Sequence, residues 1–244
     1  VMALTKDEIK EFKKKEKEAE GCTSFSIIAS GLSYAGDKEW AKNVYKKAEE
    51  NADGFYDFRN LADSIFNDLG DEEWSRTLYM KAEEIVDNNF AGLADSIFEH
   101  LGDKEWARNL YKKAEEKADD FDDLRGLAES VFNNLDDVEW SRTLYKRADN
   151  QAESYDDLRD LAESSCEILG DKELARNLYN KTGKEAQSFR DFLDLAESSC
   201  EILGDKELAR NFYKKAEEKV DGDDEKYHLA SSMNDYLRDS EDDE

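Results

Sequence analysis

The side chains that could bind a metal or carry out a reaction are few in this chain, and their spacing supports neither role. The two histidines, His100 and His228, lie in different copies of an internal repeat and are predicted to be solvent-facing helix residues. No Cys-x-x-Cys or His-x-x-x-His spacing supplies a zinc ligand set. The cysteines Cys22, Cys166 and Cys200 are odd in number, which argues against structural disulfides and favours a reducing compartment.

Two acidic strings could attract calcium, but neither has the pattern of a calcium loop. Residues 119–123 and 221–225 are rich in aspartate, yet they lack the twelve-residue spacing and the closing glutamate. Weak calcium binding stays open as an alternative. Neither a phosphate-binding loop nor a nucleophile elbow is present, so the sequence predicts a protein that is not an enzyme and that needs no cofactor or metal.

An internal repeat organises the whole chain. The turn sequence Gly-Asp-Lys-Glu-Trp, or a close variant, returns after 34, 32, 34, 34 and 34 residues. A fixed period of this size indicates one supersecondary unit stacked many times, with function carried by an extended surface. The copies begin at Gly36, Gly70, Gly102, Asp136, Gly170 and Gly204.

Each unit reads as two helices joined by a tight turn. In the copy around Gly102, apolar residues fall at helical spacing on both sides of the turn. Gly102 allows a left-handed helix stop, and Asp103 can cap the helix that follows. Neither helix can bury its apolar stripe alone, so neighbouring units must supply the missing surface.

The pattern resembles the tetratricopeptide repeat, a 34-residue helix–turn–helix unit. The resemblance rests on a small residue, an aromatic and an alanine in the second helix, and on a large aromatic in the first. It is weaker where Leu-Ala-Asp or Leu-Ala-Glu replaces the family's Leu-Gly, and the closing proline is missing. The matching residues are Ala41, Tyr45 and Ala48; Ala107, Tyr111 and Ala114; and Phe66, Phe98 and Phe132.

The resemblance implies an all-α fold, a right-handed alpha-solenoid of about six 34-residue repeats with capping helices. We expect an N-terminal capping helix within residues 1–21, opened by a capping box of Thr5 and Glu8. The repeat solenoid is expected over residues 22–239, with its last helix at about 225–238. In that helix, Leu229, Ala230 and Met233 are predicted to face inward. Residues 240–244 are predicted to be an acidic disordered tail.

The net charge of −27 restricts the classes of partner that the chain can bind. Phosphate binding needs clustered Lys and Arg, so direct nucleic-acid binding is not expected. Residues 1–20 carry no net charge, whereas residues 221–244 carry ten acids against one lysine and one arginine. No run of 18 apolar residues indicates a membrane span and no signal-peptide pattern is present, so we expect a cytoplasmic protein that does not bind membranes.

The resemblance also implies a concave groove that is lined by the first helices and binds peptides. The positions that it assigns to the groove carry ten acids and neither Lys nor Arg, which favours a partner protein with a basic segment. Two alternatives stay open: a merely solvated acidic face, and an acidic mimic of nucleic acid that occupies a nucleic-acid-binding protein. The assigned residues are Asp57, Asn60, Ser64, Asn67, Asp68, Ser96, Glu99, His100, Asp123, Ser130, Asn133, Asn134, Asp157, Asp160, Ser164, Glu167, Asp191, Asp194, Ser198 and Glu201.

Two further features give structural expectations. An Arg follows a Glu by three residues in five copies, as in Glu73 and Arg76, and is predicted to bridge that Glu and the first-helix acid, here Asp63. Gly183 stands inside a predicted second helix. Because glycine there costs about 1 kcal/mol relative to alanine, that helix is expected to be weakened near its end.

Overall fold

The computed structural model describes residues 4–238, which form fourteen α-helices and no strand. Consecutive helices pack as neighbours, so the chain is an all-α helical-repeat protein, as the sequence predicts. The helices are α1 (Lys6–Glu18), α2 (Gly21–Tyr34), α3 (Lys38–Glu50), α4 (Phe55–Leu69), α5 (Glu72–Ile85), α6 (Phe90–Leu101), α7 (Lys104–Lys117), α8 (Phe121–Leu135), α9 (Val138–Gln151), α10 (Tyr155–Glu167), α11 (Lys172–Glu185), α12 (Phe189–Glu201), α13 (Lys206–Glu217) and α14 (Asp223–Leu237).

The helices fall into six pairs, α2 with α3 through to α12 with α13. We call α2, α4, α6, α8, α10, α12 and α14 the first helices, and α3, α5, α7, α9, α11 and α13 the second helices. The chain separates into two compact units at the boundary between Lys117 and Ala118. Unit 1 holds α1 and three pairs, and unit 2 holds three pairs and α14.

The turn between paired helices has the predicted geometry. Gly102 adopts φ 63°, in the left-handed region, and its N–H donates to the carbonyl of Phe98. The carboxylate of Asp103 then accepts the N–H of Trp106 at 3.1 Å, which caps α7. The repeated turn motif is therefore a helix stop followed by a helix start.

One turn places a non-glycine residue in the left-handed region. Asp136 has φ 57°, where the other copies have glycine. Because a side chain strains this conformation, Asp136→Gly is expected to raise the free energy of unfolding by about 0.5–1 kcal/mol. The reverse change in the next turn, Gly170→Asp, should lower it by a similar amount. Urea unfolding of both variants checks the prediction, and a loss of stability in Asp136→Gly would contradict it.

The core is built from small and aromatic residues of the second helices. Six tyrosines at equivalent positions are at most 1% exposed, and alanines one turn away let the paired helices approach closely. In unit 1, the Tyr79 hydroxyl donates to Asp63 at 2.5 Å. In unit 2, the hydroxyls of Tyr145 and Tyr179 are buried without a hydrogen-bond partner among the described residues.

A tryptophan, a lysine and a glutamate join neighbouring copies in unit 1. Glu49 at the end of α3 accepts the indole N–H of Trp74 at 2.8 Å and the ammonium of Lys81 at 2.7 Å, both from α5. Glu83 of α5 does the same for Trp106 and Lys113 of α7. Within unit 1, one carboxylate thus ties α3 to α5 and another ties α5 to α7.

The N-terminal helix α1 takes the place of a second helix in this scheme. Its Glu16 accepts the indole N–H of Trp40 at 2.9 Å and the ammonium of Lys47 at 2.6 Å. The predicted capping box is present, because Thr5 and Glu8 bond reciprocally at the start of α1. Helix α1 therefore covers the start of the first complete pair.

The predicted arginine bridge is wrong in its second partner, and Arg76 and Arg176 do not form the predicted pair with the Glu three residues before either. Arg142 does pair with Glu139, at 2.5 Å, but it reaches Asp171, the capping aspartate of the next turn, at 2.8 Å. Arg76 binds Asp103 in the same way, at 2.9 Å. In unit 1 the first-helix acid binds the tyrosine of its own pair instead, as Asp63 binds Tyr79, whereas Glu129 in unit 2 pairs with Arg125 of its own helix. The arginine consequently ties neighbouring copies together rather than the two helices of one copy.

The last helix, α14, is less covered than predicted. Leu229 and Ser232 are buried, but Ala230 and Met233 are exposed. Residue 239 and the predicted tail at residues 240–244 lie outside the described residues. Among the helices of residues 4–238, none combines the length and the apolar composition that crossing a membrane requires.

Candidate partner-binding site

Charge separates by helix type. Among the first helices, α2 carries no charged residue, whereas α10 carries five acids and one arginine and α12 four acids and one arginine. Most second helices are different: α7 carries five basic and three acidic residues and α13 four basic and two acidic, although α5 carries four acids and two basic residues. Acidic charge therefore lies mainly on the first helices, where it is strongest in unit 2 and absent from α2.

In unit 1 the structure brings three of the predicted residues together at a cavity. Asp57, Asn60 and Ser64 of α4 line a cavity of about 280 Å³ whose opposite wall is α2. That wall includes Thr23 and Ile27, and Ile27 is 68% exposed. Sequence reasoning missed the α2 wall, although the uncharged stretch from residue 21 to residue 34 signals it.

The remaining predicted residues of unit 1 lie further along α4 and on α6. Asn67 and Glu99 are exposed, and the amide of Asn67 lies 3.3 Å from Nε2 of His100. The solvent-facing prediction for His100 is wrong, because its side chain is only 9% exposed. Its Nδ1 lies 2.8 Å from the carbonyl oxygen of Ser96 and 3.1 Å from the Tyr79 hydroxyl. His100 thus connects α4, α5 and α6.

The acidic start of α8 gathers three carboxylates. Ligand atoms of Asp119, Asp120 and Asp123 lie within 4.8 Å of one another, and all three residues are exposed. Partial burial, and then the neighbouring aspartates, raise the pKa of Asp123. Three oxygen ligands fall short of the six to eight that Ca²⁺ takes. Asn133, further along α8, is exposed and is not part of this group.

Two of the predicted binding residues in unit 2 cap helices. Asp157 and Asp191 each form a reciprocal capping box with the serine three residues before, Ser154 and Ser188. Partial burial raises the pKa of Asp157, but backbone N–H donors and Ser154 outweigh burial and hold that pKa below its ordinary value. These two carboxylates start α10 and α12, so their hydrogen-bonding capacity is already engaged.

The other four predicted residues of α10 and α12 differ in how far they are already paired. Asp160 lies 3.1 Å from Arg159 and Asp194 lies 3.1 Å from Arg190, so arginines interleave with the acids. The positions taken from the resemblance excluded these arginines. Glu167 and Glu201 are exposed at the ends of α10 and α12. Glu201 accepts one bond, from the Tyr236 hydroxyl at 3.4 Å.

No protein-family model and no curated protein matches this chain. One similar solved structure is that of PilW, described as a widely conserved type IV pilus biogenesis factor. The two chains share 13% sequence identity with a TM-score of 0.39, over 86% of this chain and 98% of that one. A likeness this distant carries no argument about function.

Proposed function

We propose that this chain is a non-catalytic interaction module that holds a basic segment of a partner protein on its first helices. The observation that supports it is the separation of charge: α10 and α12 carry nine acids and two arginines, while the second helix α13 is net basic. Such a face attracts a basic partner and rejects an acidic one, which adds association rate and selectivity more than affinity. A reducing, cytoplasmic setting agrees with three free cysteines.

We further infer that the units are tetratricopeptide-like repeats. The residues that carry the resemblance occupy structural positions: Ala107 and Tyr111 are fully buried and Ala114 nearly so. Within each unit, a repeat stack of this kind exposes one face per helix type, which suits an extended segment of a partner.

Within the predicted residue set, the strongest candidates are the four acids of α10 and α12 that do not cap a helix. Glu167 and Glu201 are open to a cation. Asp160 and Asp194 hold arginines across partly exposed ion pairs, and such pairs are worth about 0–1 kcal/mol, so a partner's Lys or Arg can replace them. In unit 1, Asp57 is the one charged residue at the cavity beside α2.

The test is the fluorescence anisotropy of a labelled deca-lysine peptide. The double variant Glu167→Lys with Glu201→Lys is expected to weaken binding roughly tenfold, since it puts two cations where the peptide's charges must sit. The matched control is Glu173→Lys with Glu217→Lys, which makes the same charge change on the second helices of the same copies. The control should stay within about twofold of the parent chain.

Equal losses in the two double variants would mean that binding follows net charge alone, and would overturn the proposed face. The alternative of an acidic nucleic-acid mimic rests on net charge and has no geometric support. This alternative would be favoured if the chain displaced DNA from a basic DNA-binding protein and the two double variants bound the peptide equally well.

A further inference from the structure

Helix α14 presents an apolar stripe that no other helix covers. In the six pairs, a second helix packs against the first helix that precedes it, whereas no helix follows α14 within the described residues. Leu229 and Ser232 face α12 and α13 and are buried. Tyr227, Ala230 and Met233 follow one another at three-residue spacing, with Tyr227 72% and Met233 40% exposed. This stripe is adjacent to the side on which α14 is packed.

The equivalent stripe is buried in the preceding copy. Leu193 and Ala196 of α12, 34 residues before Tyr227 and Ala230, are 4% and 0% exposed. Helix α1 is different, since it has no buried residue and carries six lysines and five acids. Helices α1 and α14 therefore differ in chemistry.

The two terminal helices are also complementary in charge. Lys13, Lys14 and Lys17 of α1 are exposed. Helix α14 begins with Asp223, Asp224 and Glu225, and residues 221–244 hold ten acids against one lysine and one arginine. Helix α1 already acts as a second helix toward α3, through the bonds of Glu16, and no first helix precedes it within residues 4–238.

We propose that α14 of one chain docks against α1 of a second copy, so that the chain associates head to tail. The contact covers Ala230 and Met233 with the aliphatic stems of the α1 lysines and places their ammonium groups near the carboxylates of α14. Pairing two α14 helices would instead bring like charges together. A head-to-tail contact uses two different surfaces, so it builds rings or open chains of copies.

A single helix–helix contact buries little area, so the association is expected to be weak and sensitive to salt. Sedimentation velocity of the full chain, from about 5 to about 500 µM, should show the average mass rising with concentration at low salt. At high salt the rise should shrink. A monomer at all concentrations at low salt would overturn the proposal.

Met233→Asp is expected to weaken this association roughly tenfold, because it places a charge in the apolar contact. The matched control is Met80→Asp, at a methionine that is 55% exposed on the second helix α5, and it should leave association unchanged. Circular dichroism checks that both variants keep their helices.

A second test changes the opposite surface: Lys13→Glu with Lys14→Glu should weaken association as well. Equal effects of Met233→Asp and Met80→Asp would overturn the assignment of the surface.

The orientation is tested by cross-linking two distinguishable copies. A Met233→Cys chain is mixed with a ¹⁵N-labelled parent chain and treated with an amine-to-thiol cross-linker. The expected product joins position 233 of one copy to an α1 lysine of the labelled copy. Cross-links mainly to lysines of the second helices would overturn the head-to-tail contact. The single variant Glu167→Lys, on α10, should associate like the parent chain, which separates this inference from the proposed peptide-binding face.

Discussion

Replacing Tyr79 with alanine is expected to lower the free energy of unfolding by about 3–5 kcal/mol, the range for truncating a buried aromatic side chain. The Tyr79 ring is completely buried between paired helices of unit 1. Its hydroxyl donates to Asp63 at 2.5 Å, and the Asp63 side chain is only 23% exposed. The substitution thus leaves a cavity and removes the donor from a half-buried carboxylate. Chemical unfolding followed by circular dichroism measures the loss.

Two phenylalanine variants separate packing from hydrogen bonding. Tyr79→Phe keeps the ring and removes the bond to Asp63 together with the contact to His100, so it should cost about 1 kcal/mol or more. Tyr145→Phe, at the equivalent position in unit 2, removes a hydroxyl that has no partner among the described residues, and it should cost almost nothing or be stabilising. The exposed Tyr34, at 93% exposure, serves as a neutral control for Tyr→Ala. Similar losses in Tyr79→Phe and Tyr145→Phe would show that the Asp63 bond contributes little.

Gly183→Ala is expected to lower the free energy of unfolding by about 1–3 kcal/mol, although alanine is the better helix former by about 1 kcal/mol. Gly183 is buried in α11, which continues to Glu185. A Cβ atom at this position would lie 2.5 Å from Cε1 of Phe212, so the ring must move. The glycine therefore makes room for a neighbour on α13.

A compensating change at Phe212 tests directly whether a steric clash causes the loss. The equivalent position in the preceding copy is Leu178, and other copies also have leucine there. Phe212→Leu removes the clash, so the double variant Gly183→Ala with Phe212→Leu should recover most of the loss seen in Gly183→Ala. A double-mutant cycle gives the coupling between the two sites, about 1 kcal/mol or more if they are in contact. A stabilising Gly183→Ala would contradict the steric explanation.

The sequence predicts the features that depend on residues close together in the chain. The helix stop at Gly102 and the cap at Asp103 follow from three or four neighbouring residues, and both are confirmed. The capping box at Thr5 and Glu8 is equally local. Repetition then extends each local prediction along the chain, which is why the all-α repeat architecture could be inferred before any contact was known.

Features that depend on the next copy could not be predicted in this way. The sequence pattern does not show which carboxylate outside its own helix Arg142 binds. Only the packing of neighbouring turns shows that this carboxylate is that of Asp171. Gly183 is predicted to weaken a helix because the sequence does not show Phe212 beside it. Met233 is predicted to be buried because its pattern matches inner copies, whereas the described residues contain no helix that covers it.

The candidate site was predicted as a set of positions, without the partners of each side chain. The resemblance chose Asp157 for its place in the unit, but its carboxylate caps a helix. The resemblance did not select Arg190, which directly precedes the selected Asp191 and pairs with Asp194. It also offered no reason to consider the uncharged α2, where Ile27 forms part of the cavity wall.

The proposed binding face is tested most directly by mapping a bound basic peptide onto the chain. Two-dimensional amide NMR of the ¹⁵N-labelled protein, titrated with deca-lysine, reports each residue separately. We expect the largest shifts along α10 and α12, at Asp160, Glu167, Asp194 and Glu201, with small changes in the second helices α11 and α13. Shifts concentrated in the second helices, or spread evenly over all exposed acids, would contradict a binding face on the first helices.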